Sequence, residues 1–417
     1  MKEVNIILDD QLNFIRPDKE DFEKINNLAR EFLKELKERL KKSKIKADVF
    51  IGGSLAKNTL VKKDVYDIDI FVRFDKSYGN KISGMLEKIL KDVKKVHGSR
   101  DYYHKIVRNI IIEIIPVIKI SKPEQALNVT DLSYFHVNYI LNKLKKNKKL
   151  AGEISLAKTF TFAQNCYGAE SYIHGFSGYA LELLICHYGS FMKFVRNMAE
   201  LDISKKKLII DAEKLYGKNN VLNELNKSKA ISPIILIDPT FKERNSLSSL
   251  SSETFYKFQN ACKMFLKKPS SGFFIRKKVE DDFKKHKKVM VVRVKTKKQA
   301  GDIAGTKSKK FFKFFISKLN KEFEIKKSGF DYSEKENIAK FYLVLDKKKP
   351  TTIRGPPIDS KNNFSKFKKK HPDMFIRKGF AYFKLKHEKS FEDWFKLFLK
   401  KDKKIIRDMD IDKIIRV

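Results

Sequence analysis

Cysteine is nearly absent: Cys166, Cys186 and Cys262 are the only three in 417 residues, and they share no paired spacing. That excludes a disulfide framework and a thiolate zinc site, and it suits a reducing compartment. Long hydrophobic runs are missing as well. No stretch reaches the roughly 20 apolar residues needed to cross a bilayer, and no signal peptide opens the chain. The expectation is a cytoplasmic protein with no membrane partner.

Acidic residues are the third shortage. Against 91 Lys and Arg stand 51 Asp and Glu, a formal net charge of +40. A polyanionic partner is implied, discounted somewhat because lysine far outnumbers arginine and an AT-rich genome raises lysine everywhere. The balance is uneven. Met1 to Leu40 carries 8 basic against 10 acidic residues, a net of −2, whereas Lys263 to Lys327 carries 22 against 6, a net of +16. Phenylalanines interrupt that basic stretch, so it reads as a folded surface rather than a tail. With 42% hydrophobic residues the chain is globular, and its length suits about two to four domains.

Within this frame, Val65-Tyr-Asp-Ile-Asp-Ile-Phe-Val-Arg73 is a β-branched and aromatic run holding two acids. Asp67 and Asp69 lie two apart, so on a strand both carboxylates leave the same face. Like charges so placed repel unless a proton or a divalent cation lies between them. Magnesium fits, being hard and usually held by one or two carboxylates together with substrate phosphates. Upstream, Ile51-Gly-Gly-Ser-Leu-Ala-Lys-Asn-Thr59 reads as a strand end, a tight turn and a helix start. Amides at Gly52 and Gly53 can cradle a triphosphate, Ser54 adds a hydroxyl and Lys57 a cation. Taken singly, a Gly-Gly turn and an Asp-x-Asp strand edge have bland structural readings. Together, glycine-serine, twelve intervening residues and Asp-hydrophobic-Asp resemble the DNA polymerase beta nucleotidyltransferase superfamily.

A third acid, Glu113, sits inside Ile110-Ile-Ile-Glu-Ile-Ile-Pro116. Burying an unpaired carboxylate costs several kcal/mol or forces protonation. An edge-strand residue facing solvent is the plain alternative, since Pro116 tolerates an edge. With Asp67 and Asp69 upstream, a neighbouring strand completing a two-metal site is the better reading.

Taken in order, Phe22, Ile25, Leu28, Phe32, Leu36 and Leu40 predict an amphipathic helix over Asp18 to Lys42, begun by Asp18 as a cap. Strands are expected at Ala47 to Ile51, Asp67 to Phe74 and Ile106 to Ile118, with a helix over Ile82 to Val96. From Asn128 to about Gln259 the chain reads mostly helical, over Leu132 to Lys146, Glu153 to Tyr167 and Gly178 to Leu201. In the last third, strands are expected at Val289 to Val294, Ile338 to Leu345 and Phe380 to Leu385, and helices at Lys309 to Phe323 and Ser390 to Leu399. The fold class is α+β and multidomain: a small mixed sheet with helices, a helical domain, then α/β elements.

The blocks Asn128-Val-Thr-Asp-Leu-Ser-Tyr-Phe-His136, Tyr167-Gly-Ala-Glu170, Gly175-Phe-Ser-Gly-Tyr179 with Glu182-Leu-Leu and His187-Tyr-Gly-Ser190, and Ile237-Asp-Pro239 with Arg244-Asn245 resemble the archaeal, class I, CCA-adding tRNA nucleotidyltransferases. Lys268-Pro-Ser270, Phe273-Phe274 and Gly355-Pro-Pro357 continue the likeness, which weakens after about Pro372. It implies a catalytic nucleotidyltransferase head at 1–127, a helical nucleotide-binding neck at 128–259, a body at 260–302 and 376–417, and a tail at 303–375 meeting the tRNA elbow. It implies Asp67, Asp69 and Glu113 as catalytic metal ligands for Mg2+. Gly53, Ser54, Lys57, His136, Lys158, Tyr167 and Arg244 are implied as nucleotide-binding, with tRNA, CTP and ATP as substrates and homodimerisation left open.

Departures from that pattern are Lys57 where arginine is usual, His174 in place of an arginine, and Thr-Phe-Lys-Glu after Asp238-Pro239. Arginine would supply a planar fork that lysine lacks. Two alternatives stay open: another RNA nucleotidyltransferase such as a poly(A) polymerase, and a non-catalytic basic RNA-binding protein.

Overall fold

Helix α1 (Lys2–Ile15) is followed by α2 (Lys19–Lys42), whose Ile25, Ala29, Phe32, Leu36 and Leu40 form one buried stripe. Asp18 precedes α2 but makes no capping bond; its carboxylate instead accepts from Lys62 Nζ at 2.7 Å. The stripe covers the apolar face of a five-stranded sheet ordered β1-β2-β5-β4-β3. Its strands are β1 (Ala47–Ile51), β2 (Tyr66–Phe74), β3 (Lys94–Val96), β4 (Tyr102–Val107) and β5 (Ile110–Ile118). Helix α3 (Gly53–Ala56) lies between β1 and β2, and α4 (Ile82–Ile89) between β2 and β3. β2 and β5 run parallel; every other pair is antiparallel. This computed structural model describes residues 2–297 and 299–417.

Two expectations in this region are corrected by the backbone. The helix expected over Ile82 to Val96 ends at Ile89, because Asp92 turns the chain with φ +53° and Lys94–Val96 then pairs with β4. The strand expected over Ile106 to Ile118 is the second half of a hairpin. Arg108, with φ +55°, reverses the chain, so Ile106 belongs to β4.

The chain divides into two compact units, Met1–Arg276 and Lys277–Val417. The rest of the first unit contains α5 (Ser133–Lys146), α6 (Leu150–Ala163), α7 (Gly178–Tyr188), α8 (Phe191–Glu200), the short α9 (Val221–Glu224) and α10 (Ser252–Lys267). The single helix expected over Gly178 to Leu201 is broken at Gly189, which takes φ +81°, after which the Ser190 side chain caps α8. A small sheet unforeseen in the sequence, β6 (Leu208–Ile210), β7 (Ile234–Asp238) and β8 (Phe241–Asn245), interrupts the helices. Its core knot is aromatic. The Phe160 ring lies 5.4 to 5.8 Å from those of Phe191, Phe258, Phe265 and Phe274.

The second unit carries β9 (Met290–Thr296), α11 (Gly301–Leu319), β10 (Phe323–Ser333), β11 (Ile338–Lys347), β12 (Thr351–Pro357), α12 (Lys361–Lys370), β13 (Phe375–Arg377), β14 (Phe380–Leu385), α13 (Phe391–Lys401), α14 (Lys403–Asp408) and β15 (Ile411–Arg416). Its larger sheet has the order β10-β11-β9-β15, and Phe311, Phe315, Phe341 and Phe398 pack between that sheet and its helices. Strands from the segments assigned to body and to tail pair directly, β11 with β9. The expected boundary at 302 and 303 falls inside α11, between strands that share one sheet, and that at 259 and 260 falls inside α10. The helix expected to reach Phe323 stops at Leu319, since Phe323 opens β10.

Replacing Phe160 with alanine leaves the rings of Phe191, Phe258, Phe265, Phe273 and Phe274 without their partner and is expected to destabilise the first unit by about 3–5 kcal/mol. Urea unfolding followed by circular dichroism measures this; a change below about 1 kcal/mol would refute the packing role.

Candidate active site

Alternation along β2 decides where its acids go. Ile68, Ile70 and Val72 are fully buried against the helices, so Asp67 and Asp69 leave the opposite face. The parallel register sets Asp69 directly beside Glu113 on β5, and the antiparallel register sets His104 on β4 beside Glu113. A row Asp69, Glu113, His104 thus crosses three strands. His104 Nε2 is 3.2 Å from Glu113 Oε1, and Lys63 pairs with Asp67. Burial pushes the Glu113 carboxyl up to about 7, helped by the charges of Asp69 and Asp67. Burial likewise raises Asp69, with Lys57 pulling the other way.

The glycine turn is fitted to this row. Gly53 has φ +58°, and a Cβ there would fall 1.6 Å from Asp69 Oδ2. The backbone of the turn therefore lies against the carboxylate, and Gly52 N donates to the Asp69 carbonyl at 2.8 Å. Only glycine satisfies both the conformation and the approach. Ser54 follows within α3, its carbonyl accepting from Thr59 N at 3.0 Å.

Among the described residues no group of three His, Cys, Asp or Glu side chains closes into a cage for an ion. Asp67, Asp69 and Glu113 share a face, and burial together with the neighbouring carboxylates raises the proton affinity of Asp69 and Glu113; Asp67 turns to Lys63 and Glu113 to His104. Three hard oxygen donors in a half-buried, mutually repelling row nevertheless fit a divalent cation, which would relieve that repulsion.

Lys57 and Lys158 meet on a residue the sequence reading had not given a role. Lys57 Nζ donates to Glu182 Oε2 and Lys158 Nζ to Glu182 Oε1, both at 2.7 Å, and Lys158 also reaches Thr59 Oγ1 at 3.2 Å. All three charged groups are buried, Lys57 just after α3, Lys158 on α6 and Glu182 on α7. Burial alone would push the Glu182 carboxyl up, but the Lys158 and Lys57 ammoniums hold it below the usual range. Tyr167 lies alongside: a Cβ on Gly178 would be 2.8 Å from its hydroxyl and 3.9 Å from Lys158 Cε.

His136 and Arg244 converge on a second carboxylate. His136 Nε2 and Arg244 Nη1 each lie 2.8 Å from Asp238 Oδ2, and Tyr179 Oη donates to Oδ1 at 3.1 Å. Thr240 adds its N–H at 2.9 Å and its hydroxyl at 2.7 Å. The segment that departs from the family pattern therefore completes the cluster. Burial opposes ionisation of Asp238, but His136 and the Arg244 charge hold it well below the carboxylate range. Burial lowers the proton affinity of His136, and its Nε2, though close to Asp238, makes no aligned hydrogen bond. His174 is exposed, with φ +51°.

Sequence reasoning missed Glu182, Asp238 and His104 as participants. The signal for two of them was available: Glu182 interrupts Ala180-Leu and Leu183-Leu-Ile185, and Asp238 ends Ile234 to Ile237, as Glu113 interrupts its own isoleucines.

Three carboxylates on adjacent strands stand beside a glycine-serine turn, in a chain whose relatives are nucleotidyltransferases. Residues 29–127 match the family model "Nucleotidyltransferase domain", and 152–275 match "tRNA nucleotidyltransferase, second domain". The fold resembles the Cid1 poly(U) polymerase (TM-score 0.53, 14% identity, 66% of this chain and 99% of that one). It also resembles a cytoplasmic RNA terminal U-transferase (TM-score 0.51, 14% identity, 67% and 99%). The chain is 36% identical to the CCA-adding enzyme of Nanoarchaeum equitans over 87% of its own length and 88% of that protein. It is 33% identical to that of Methanocaldococcus jannaschii, over 90% and 86%. The chain belongs to the family of CCA-adding enzymes. No described helix is long and apolar enough to cross a membrane.

Glu182→Ala leaves two ammoniums buried without their counter-ion and is expected to cost about 3–5 kcal/mol in urea unfolding. A loss near zero would show that the pair of lysines does not depend on it. For Glu113 the folded-state pKa, about 7, lies above its ordinary value of 4.5, so its contribution to stability is present at low pH and lost as pH rises through that window. In a chelating buffer Glu113→Gln should gain on the parent chain by up to about 3 kcal/mol between roughly pH 4.5 and pH 8. Parallel stability profiles for the two proteins would contradict the shift.

Proposed function

We propose that this chain adds C, C and A to the 3′ end of tRNA from CTP and ATP, without a nucleic-acid template. The observation that carries the reading is the row of Asp67, Asp69 and Glu113 packed against the Gly53 turn, in a chain of the CCA-adding family. Asp67, Asp69 and Glu113 would hold magnesium. Bound there, the ions lower the pKa of the attacking hydroxyl and neutralise the departing pyrophosphate. The tRNA 3′ oxygen attacks the α-phosphorus, the bond to the bridging oxygen breaks, and pyrophosphate leaves. No covalent enzyme intermediate is needed.

The chain's own residues position the reactants. Amides of the Gly53 turn and the Ser54 hydroxyl face the phosphates. Each ammonium carries three donors, so Lys57 and Lys158 can meet the triphosphate while still bonded to Glu182. Tyr167 packs beside Lys158, and Arg244 presents a guanidinium to base or backbone acceptors. Basic surface on the second unit meets tRNA phosphates as shape rather than sequence. A reducing cytoplasm suits the three free thiols.

The test is incorporation of labelled CTP and ATP into tRNA lacking its last three nucleotides, with magnesium, by the parent chain and by Asp67→Ala plus Asp69→Ala. C, C and then A are expected from the parent and nothing from the variant. Incorporation of A alone would favour a poly(A) polymerase, and no incorporation a non-catalytic RNA-binding protein.

A further inference from the structure

Asp238 takes no part in the transfer chemistry, yet it is wholly buried and has more partners than any catalytic carboxylate. It closes the apolar run Ile234 to Ile237 at the end of β7, and it gathers donors from α7, β8 and its own turn. A carboxylate offers about four lone-pair sites. Four donors fill them here, Arg244 Nη1, Tyr179 Oη and the Thr240 N–H and hydroxyl, while His136 Nε2 of α5 stands 2.8 Å from Oδ2. So saturated a group has nothing to offer a ligand. What it can do is fix the groups that hold it.

One of those groups, Arg244, meets a nucleotide in the reading above, on which this inference rests. Arg244 Nη1 is committed twice, to Asp238 at 2.8 Å and to Ser246 Oγ at 3.1 Å, which leaves Nη2 and Nε for a ligand. The Tyr179 ring holds the guanidinium carbon 5.6 Å from its centroid and stacks on His136 at 4.1 Å. Cytosine and adenine share an amino donor where uracil and guanine carry a carbonyl acceptor. A site that separates these pairs must hold its own polar groups in one arrangement, because a rotated guanidinium would greet the wrong bases equally well.

We infer that Asp238 is a positioning residue for nucleobase selection: by pinning Arg244 it sets the preference for C and A over U and G without touching the nucleotide.

The experiment measures kcat/KM for each of CTP, ATP, UTP and GTP on tRNA substrates, for the parent chain, Asp238→Asn, Thr240→Val, Arg244→Lys and the double variant Asp238→Asn with Arg244→Lys. Asp238→Asn should raise the UTP to CTP ratio by about tenfold or more. Thr240→Val removes one hydrogen bond and leaves the charge; it should shift the ratio the same way by about threefold, and it keeps the question answerable if the asparagine variant fails to fold. If Asp238 acts through Arg244, the double variant relaxes the ratio no further than the stronger single one. An equal fall for all four nucleotides, or effects that multiply in the double variant, would overturn the inference. Failure of the parent chain to add C or A would instead overturn the reading beneath it, and that is seen before any variant is compared.

Discussion

A carboxylate among aliphatic side chains must be answered by positive charge or by a proton, and this requirement arranges the first unit. Glu182 and Asp238 are answered in full by the protein, one by two lysines, the other by arginine, histidine, tyrosine and a threonine turn. Asp69 and Glu113 are not, and both keep raised proton affinity. The difference separates scaffold from chemistry. Where the fold supplies its own counter-charge the group is fixed; where it leaves a surplus of negative charge beside a glycine turn, the site is ready for cations brought from solution.

The answered carboxylates also link segments distant in the chain. Glu182 ties α3, which carries the glycine turn, to α6 and α7, and Asp238 ties β8 to α5 and α7. Electrostatic tethers of this kind are strict about geometry, because a displaced partner leaves a buried charge exposed to a low dielectric. Helix α7 thus presents Tyr179 and Glu182, three residues apart, to two different clusters; on the proposed reading, one turn of helix couples the triphosphate side to the base side.

How much of this was legible in the sequence depended on whether the signal was local. The Asp67-Ile-Asp69 alternation, the Gly52-Gly53 turn and the acid inside the isoleucine run are local, and the strands lie where those patterns put them. The stop of α4 and the hairpin at Arg108 were not readable, because each depends on a non-glycine residue at positive φ, a conformation that propensity disfavours and tertiary pairing imposes. Glu182 and Asp238 were visible as odd acids but not as acceptors. Their donors lie up to 125 residues away, and no periodicity reports such a pairing.

The chain's charge is distributed to suit the division of labour just described. The first 40 residues are slightly acidic, while Lys263 to Lys327 carries a net of +16. On the proposed reading, selectivity must act on one small nucleotide, and it is built from groups held by buried hydrogen bonds and ion pairs. The other substrate is a polyanion whose helical part need not be read. Exposed lysines serve that purpose better than a rigid site, since phosphate contacts release counterions and grip any sequence alike. Such a grip weakens steeply with salt, while the buried pairs at Glu182 and Asp238 are shielded from it. Salt should therefore separate the two functions, loosening tRNA binding while leaving the choice among nucleotides unchanged.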